Sequence, residues 1–581
     1  MPQDLVGDAL TRIERGLSAR KQESDHLDFK EPPRPGGRRT AADLQGELER
    51  LILDACLCFA NGDGGVVVLG VADRSPGPTA LVGTQADGEL LKQRIYQRSN
   101  PPLLVEARER VHRGVRLLEF HVPRGAEVHA DSQGRAPRRL GTECQAMSPA
   151  QVQLVRQERT GFDYTAQVVA EDLRAVNGEA VEICRDLLGA LPDRRGELAR
   201  LATPDLLRAL GVADASGRLT RAGHILLAVS GRPWVKYSYR DTPGGEPRLV
   251  ERMEQPLVVV HQLTLQLIAA RRNLTPVVLP NGQQLEIEDF PNLAVREALT
   301  NALVHRDLHQ TAEVVIDHSP EILSVASPGP LVSGVTVDNI LTTPSRLRNP
   351  LLMRAVRTLG LSEEDGRGID RMYREMIRSG RRPPRIDAQF DHVRVRLTGG
   401  APNVNIARFV AQLPPKERLD TDTMLVLLHL CDHETVTASR IAPLLQRGED
   451  ESEIVLQRLG AGELQLLDVT RSSARRRYPT YRLREAARIA LGTAIAYRVR
   501  NTDEIDRRIV AHVREYGWIT NRTIQNLFTV DVYQARRWLA DLKKRGILRQ
   551  TTEGRTTGPG IRYGPGSDFP DAPGRHGRRT R

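Results

Sequence analysis

Residues 292–307, NLAVREALTNALVHRD, read as a helix that projects Glu297 and Asn301 from one face, four positions apart, with His305 a turn further on. A carboxylate so placed can orient or deprotonate a water, and an amide oxygen beside it can hold Mg²⁺ against a triphosphate. SPGPL at 327–331, RLRNPLL at 346–352 and EEDGRGIDRM at 363–372 follow in order, and Gly366 and Gly368 precede a helix whose backbone amides can approach phosphates. Glu and Asn on an exposed helix face are ordinary by themselves; four motifs in series point to a nucleotide pocket. A second set lies near the start of the chain. In the strand LDFK at 27–30, Asp28 and Lys30 share one face while Leu27 and Phe29 turn to the core. Asp73 ends VVVLGVAD, and Glu23 sits in the turn before LDFK. Paired strands would bring Glu23, Asp28, Lys30 and Asp73 together, a hard-oxygen set for Mg²⁺ or Mn²⁺ acting on a phosphodiester. The plainer alternative is a surface ion pair of Asp28 with Lys30, Asp73 capping a turn.

Stepwise periodicity supplies the elements that must hold these groups. Leu44, Leu48, Leu51, Ile52, Ala55 and Phe59 recur at helical spacing, and NGDGG then turns the chain into VVVLGV, so a helix is expected between two strands. The Pro- and Gly-rich EPPRPGGRR at 31–39 is expected as a loop. With 581 residues the chain exceeds one hydrophobic core, and three to five domains follow at roughly 100–200 residues each. The 84 Lys and Arg outnumber the 73 Asp and Glu, for a net charge of +11, which favours phosphate-bearing partners. Only 4% of residues are aromatic, so backbone charge rather than base stacking would dominate binding. The five cysteines, Cys56, Cys58, Cys144, Cys184 and Cys431, lack CxxC spacing and read as reduced core residues without zinc or disulfides. An acidic N-terminus and short apolar runs suggest neither signal peptide nor membrane span, and a cytoplasmic location is expected.

The end region repeats one order from about 418: three helices, then a basic hairpin, as in a winged helix. In the second copy Ile505, Ile509, Val510 and Val513 share a face, Thr520 reads as a cap, and VYQARRWLADLKKRGIL is the third helix. Ala535, Trp538, Leu539 and Leu542 face inward there, leaving Arg536, Arg537, Lys543 and Lys544 for a DNA groove, with Arg549, Arg555 and Arg562 on the wing. Arg475, Arg476 and Arg477 would serve the first copy in the same way.

ESDHLDFK at 23–30, CLCFANGDGGVVVLGVAD at 56–73 and RRLGTECQAM at 138–147 together resemble the signatures of the Schlafen/AlbA-like domain. That resemblance implies nucleic-acid contact, including by Arg139, and matches the catalytic carboxylates of RNA-cleaving members to Glu23, Asp28 and Asp73, with Asp28 standing where Glu is usual. The series from REALTNALVHRD to DGRGIDRM resembles the divergent GHKL-type ATPase domain of the histidine-kinase/gyrase superfamily. It implies Glu297 as base, Asn301 as Mg²⁺ ligand, and His305, Ser327, Gly329, Arg348, Asn349, Gly366 and Gly368 around ATP; Ser327 stands where an acidic or amide residue recognises adenine. The fold class expected is multidomain α+β. Its parts are a Schlafen/AlbA-like α/β domain at 1–150, an α/β connecting domain at 151–285 and a GHKL-like α/β sandwich at 286–400. Winged-helix domains follow at 416–490 and 500–564, then a disordered basic tail at 565–581. Function is expected to be ATP-regulated nucleic-acid binding, DNA above RNA, in a transcriptional-regulator-like homo-oligomer with no membrane partner. The alternatives are a metal-dependent RNA/DNA endonuclease, of the kind used in anti-phage defence, and a scaffold with degenerate sites.

Overall fold

The computed structural model describes residues 4–34, 40–73, 75–278, 282–362, 367–461, 465–495, 506, 508–528, 530, 532–551 and 561–570. At the N-terminus the amphipathic start of the chain forms α1 (Leu5–Glu14), and the alternating LDFK forms β1 (Leu27–Lys30). A reciprocal Thr40–Asp43 cap opens α2 (Ala41–Asn61). The Gly-rich turn then leads into β2 (Gly65–Leu69), which pairs in parallel with β1, Asp28 opposite Val67. β3 (Glu106–His112) and β4 (Val115–Val122) complete a four-stranded sheet in the order β1-β2-β4-β3. Ile52, Phe59, Val67 and Phe120 pack between α2 and one face of this sheet. Leu10, Ile13, Leu27, Phe29 and Val68 pack between α1 and the other. With both faces covered, Asp28 in the middle of β1 is taken out of water, while Lys30 at its end stays partly exposed.

β5 (Pro137–Leu140) and β6 (Glu143–Ala146) make a hairpin against α2, followed by the Ser148-capped α3 (Pro149–Thr160). A disulfide joins Cys58 of α2 to Cys144 of β6, with Cα atoms 5.9 Å apart. This corrects the expectation of five reduced cysteines: an 86-residue separation gives no pairing signal, and the hairpin's return to α2 brings the two together. Cys56, Cys184 and Cys431 are buried and take no part in a disulfide.

The next sheet has six strands. β7 (Val235–Tyr239) and β8 (Leu249–Met253) precede the helices α4 (Leu257–Ala269) and α5 (Asn292–Val304). β9 (Val314–His318), β10 (Ile322–Pro328), α6 (Pro350–Thr358), α7 (Gly368–Arg378), β11 (Arg385–Ala388) and β12 (His392–Thr398) follow. The strand order is β8-β7-β9-β10-β12-β11, with β7 parallel to β9, Val235 opposite Val314. Val260, Ala298, Leu299, Ile316, Val325 and Leu352 share one core. The domain boundary expected at 285/286 therefore cuts through a single sheet: β7 of the expected connecting domain is hydrogen-bonded to β9, and β8 extends the same sheet from the other side of β7. The missing signal was topological, because a parallel crossover leaves no local mark in sequence.

The described chain divides into two compact units, the first Met1–Pro276, Leu285–Met376 and Arg381–Ala401, the second Val277–Gln284, Ile377–Gly380 and Pro402–Arg581. Within the second, α8 (Thr421–Asp432), α9 (Ala438–Leu445) and α10 (Glu449–Gly460) precede an antiparallel pair, β13 (Leu467–Val469) with β14 (Tyr481–Leu483). Helical residues 508–516 are followed by β15 (Ile519–Thr520), α11 (Asn521–Phe528), α12 (Val532–Lys544), β16 (Leu548–Gln550) and β17 (Arg562–Pro565). The strands form a sheet in the order β15-β17-β16. Ile509, Val513, Ala535, Leu539 and Leu542 make the core, and the Thr520 hydroxyl accepts from Thr523 N at 3.1 Å at the start of α11. Ile505 and residues 571–581 of the expected tail lie outside the described residues. Among the described residues no helix is long and apolar enough to cross a membrane.

Candidate functional site

Between α5, β10, β12 and the loop 329–346 lies a pocket with about 1110 Å³ of empty space. Asn301, His305, Ser327, Gly329, Arg346 and Gly368 line it. Asn301 is delivered from the last turn of α5, and His305 caps that helix. Burial, with Arg348 and Arg357 nearby, pushes the His305 pKa down to about 4, so the ring is neutral at pH 7. The Ser327 hydroxyl donates to the Ala302 carbonyl at 2.6 Å, which leaves its oxygen an acceptor only toward a ligand. Gly329 has φ of 99°, and a Cβ there would lie 2.5 Å from Arg348 Nη1; the position requires glycine.

Glu297, one turn before Asn301, is not one of the lining side chains. It is 1% exposed, and Arg371 Nη1 donates to its Oε1 at 2.8 Å. Burial raises its pKa, against the pull of Arg371 and Arg296. Gly368 packs on the other oxygen so closely that a Cβ would lie 2.5 Å from Oε2. The carboxylate expected to activate water is instead paired to α7. Arg348 and Asn349, expected at the nucleotide, are loop staples: Arg348 donates to the carbonyls of His305 and Pro330 at 3.0 and 2.7 Å, and Asn349 Nδ2 to those of Val304 and Arg306 at 2.8 and 2.9 Å. Gly366 lies outside the described residues.

In the N-terminal sheet, Asp28 is 1% exposed, which corrects the reading of a surface ion pair. Its Oδ2 lies 2.7 Å from Lys30 Nζ and 3.4 Å from Arg139 Nη1. Arg139 also donates through Nη2 to the carbonyls of Ser24 and Leu27 at 3.1 and 3.2 Å, and its guanidinium lies over the Phe59 ring. The arginine expected on a phosphate is thus buried and committed to the fold. Glu23 joins this cluster; Phe29 N donates to its Oε1 at 3.5 Å, and burial together with the Asp28 charge pushes its pKa up to about 7. Asp73 lies past the end of β2, where its carbonyl accepts from Arg20 N at 3.0 Å. Among the described residues no three His, Cys, Asp or Glu side chains are grouped to hold a metal ion. Two cations already neutralise the buried Asp28, so the residues present do not fit a divalent metal here.

Residues 23–148 match the model of the family described as Schlafen, AlbA_2. Residues 311–397 match the ATPase-type model described as putative ATP-dependent DNA helicase recG C-terminal. The chain carries a Schlafen AlbA_2 domain and an ATPase-type domain. Among solved structures, the DIP2311 protein from Corynebacterium diphtheriae is similar at 26% identity and a TM-score of 0.51, over 84% of this chain and 98% of that one. A comparison with curated proteins finds no match. The AlbA_2 domain suggests nucleic-acid binding and the ATPase-type domain ATP binding.

The ATPase-type match begins after α5, yet α5 supplies Asn301 and His305 to the pocket walled by β10 and β12. In the AlbA_2 domain Asn61, part of NGDGG and of the 56–73 signature, carried no role of its own in the sequence. Asn61 is wholly buried; its Nδ2 donates to the carbonyls of His129 and Pro137 at 2.7 and 2.8 Å, and its Oδ1 accepts from His129 N at 2.8 Å. An Asn at a helix end before Gly was the available signal. In the second unit Arg536, Arg537, Lys543 and Lys544 are exposed on α12, while Arg555 lies outside the described residues.

Proposed function

We propose that the protein binds nucleic acid under the control of a nucleoside triphosphate held in the pocket of its ATPase-type domain. The observation that carries this reading is the meeting of Asn301, His305, Ser327, Gly329, Arg346 and Gly368 around one cavity from four separate sequence motifs. Asn301 suits a single amide ligand for Mg²⁺, which takes its remaining oxygens from phosphates and water and offsets their charge. Ser327 offers one acceptor to a base, and Gly329 and Gly368 bring backbone close to the ligand. Binding outruns hydrolysis in this reading, because Glu297 is held by Arg371.

The helix–helix–helix–hairpin orders of the second unit support winged helices, with α12 as the helix that enters a DNA groove and its four exposed cations on phosphates and base edges. A regulator-like DNA-binding role follows. Metal-dependent cleavage draws no support from the Asp28 cluster, whose carboxylate is already paired with Lys30 and Arg139. The test is retention of radiolabelled ATP by wild type and Asn301→Ala, with DNA and RNA shifts scored with and without ATP and Mn²⁺. Loss of ATP in the variant and ATP-sensitive shifts without fragments are expected; equal ATP retention by both proteins rejects the pocket.

A further inference from the structure

The loop 329–346 that walls the pocket is fastened to the AlbA_2 domain. Ser333, 3% exposed, is held from three sides: Arg138 Nη2 donates to its hydroxyl at 2.5 Å, its own N–H donates to Glu158 Oε1 at 3.4 Å, and Arg346 Nη1 donates to its carbonyl at 2.5 Å. Arg346 also pairs with Asp63 at 3.3 Å, and Arg124 reaches the same carboxylate at 3.6 Å. Asp63 lies in the turn after α2, Arg138 on β5 and Glu158 on α3. Gly334 is pressed into the joint with φ of 78°; a Cβ there would lie 2.2 Å from Arg346 Nη1 and 2.5 Å from Asp63 Oδ2. Burial lowers the Arg138 pKa below its usual range, against the attraction of Glu158 and Asp63.

We propose that this joint is a latch that couples occupancy of the pocket to the AlbA_2 domain; the inference rests on the reading of the pocket as a nucleotide site. Leu331, Val332, Val335 and Arg346 line the pocket and flank Ser333 in one loop, so a ligand that orders the wall also orders the latch. On the far side, Arg138 is followed at once by Arg139, which holds Asp28 and the carbonyls of Ser24 and Leu27. One short strand thus joins the pocket wall to the buried carboxylate cluster. With the latch made, the wall is already in place and the ligand need not bear the cost of ordering it. Coupling is reciprocal, so the ligand must in turn steady the strand.

The experiment uses the full chain, AMP-PNP with Mg²⁺ as the probe, calorimetry for affinity and amide hydrogen exchange over residues 60–63 and 137–146. The variant is Asp63→Asn with Glu158→Gln, neither of which lines the nucleotide pocket. Wild type is expected to bind AMP-PNP and to slow exchange in both segments, while the variant binds about fivefold more weakly and transmits no slowing. Wild type that binds AMP-PNP with exchange unchanged in both segments overturns the latch and leaves the nucleotide reading standing. Wild type that takes up no AMP-PNP overturns both. Where the variant does not fold by circular dichroism, the wild-type exchange comparison decides alone.

Discussion

Replacing Asn61 with Ala removes a side chain that makes three hydrogen bonds in a dry site. The His129 N–H and the carbonyls of His129 and Pro137 lose their partner, at bonds of 2.7 to 2.8 Å, and Asn61 itself is 0% exposed, so water does not readily replace it. Each buried group left unpaired costs roughly 1–3 kcal/mol, which puts the total near 4 kcal/mol once partial relaxation is allowed. At about 2–4 °C per kcal/mol for a domain of this size, the melting transition of the AlbA_2 domain falls by roughly 8–16 °C. Asn61→Asp is the sharper variant: it keeps an acceptor for His129 N–H but sets an oxygen against two carbonyls, and it is expected to be at least as damaging as Ala. Calorimetric melting of both variants measures the loss, and hydrogen exchange over 129–146 locates it. An Asn61→Ala loss under about 1 kcal/mol, or an Asp variant as stable as wild type, refutes the assignment of Asn61 as the peg between α2 and the β5–β6 hairpin.

The remaining expectations concern charge and close approach. Glu23, raised from 4.5 to about 7, is fully protonated in both states below 4.5; between those values the unfolded chain loses its proton first, so stability falls as pH rises and the penalty is complete above about 7. Glu23→Gln should flatten that slope in denaturant titrations across the window; an unchanged slope removes Glu23 as its source. Gly368→Ala forces a Cβ onto the Glu297 carboxylate and is expected to cost about 1–3 kcal/mol of stability and to weaken AMP-PNP binding, measured by melting and calorimetry. Arg139→Lys cannot reproduce the guanidinium's simultaneous reach to Asp28, Ser24 and Leu27, and should destabilise the AlbA_2 domain without changing the salt dependence of DNA binding. Neutralising Arg536, Arg537, Lys543 and Lys544 together should instead reduce the slope of log K against log salt by up to about 3.6, followed by anisotropy; an undiminished slope excludes α12 from the phosphate contacts.

The elements around the site were largely legible because their periodicity is local. Leu48, Ile52 and Phe59 announce α2, and the run from Asn292 to Val304 announces α5 with the spacing that puts Asn301 and His305 on the pocket. Partnership across sequence distance was not legible. Nothing near Asp28 shows that α1 and α2 cover both faces of its sheet, so a buried, doubly paired carboxylate looked like a surface one. Arg139, Arg348 and Asn349 were expected as ligand contacts from the family resemblances, yet their donor-rich side chains serve backbone carbonyls. Cys58 and Cys144 are joined by topology alone.

The six-stranded sheet decides how this protein can be dissected. A fragment begun at 286 to isolate the ATPase-type domain would discard β7 and β8, stripping β9 of the neighbour that pairs Val235–Tyr239 with Val314–His318. It would also discard Trp234, whose ring lies 4.9 Å from the Arg306 guanidinium that is itself 1% exposed. Such a truncation presents a raw hydrogen-bonding edge and an uncovered cation at once, a recipe for precipitation in the tube. A cut upstream of β7 keeps the edge sealed, and only from there outward does trimming report on the pocket rather than on damage.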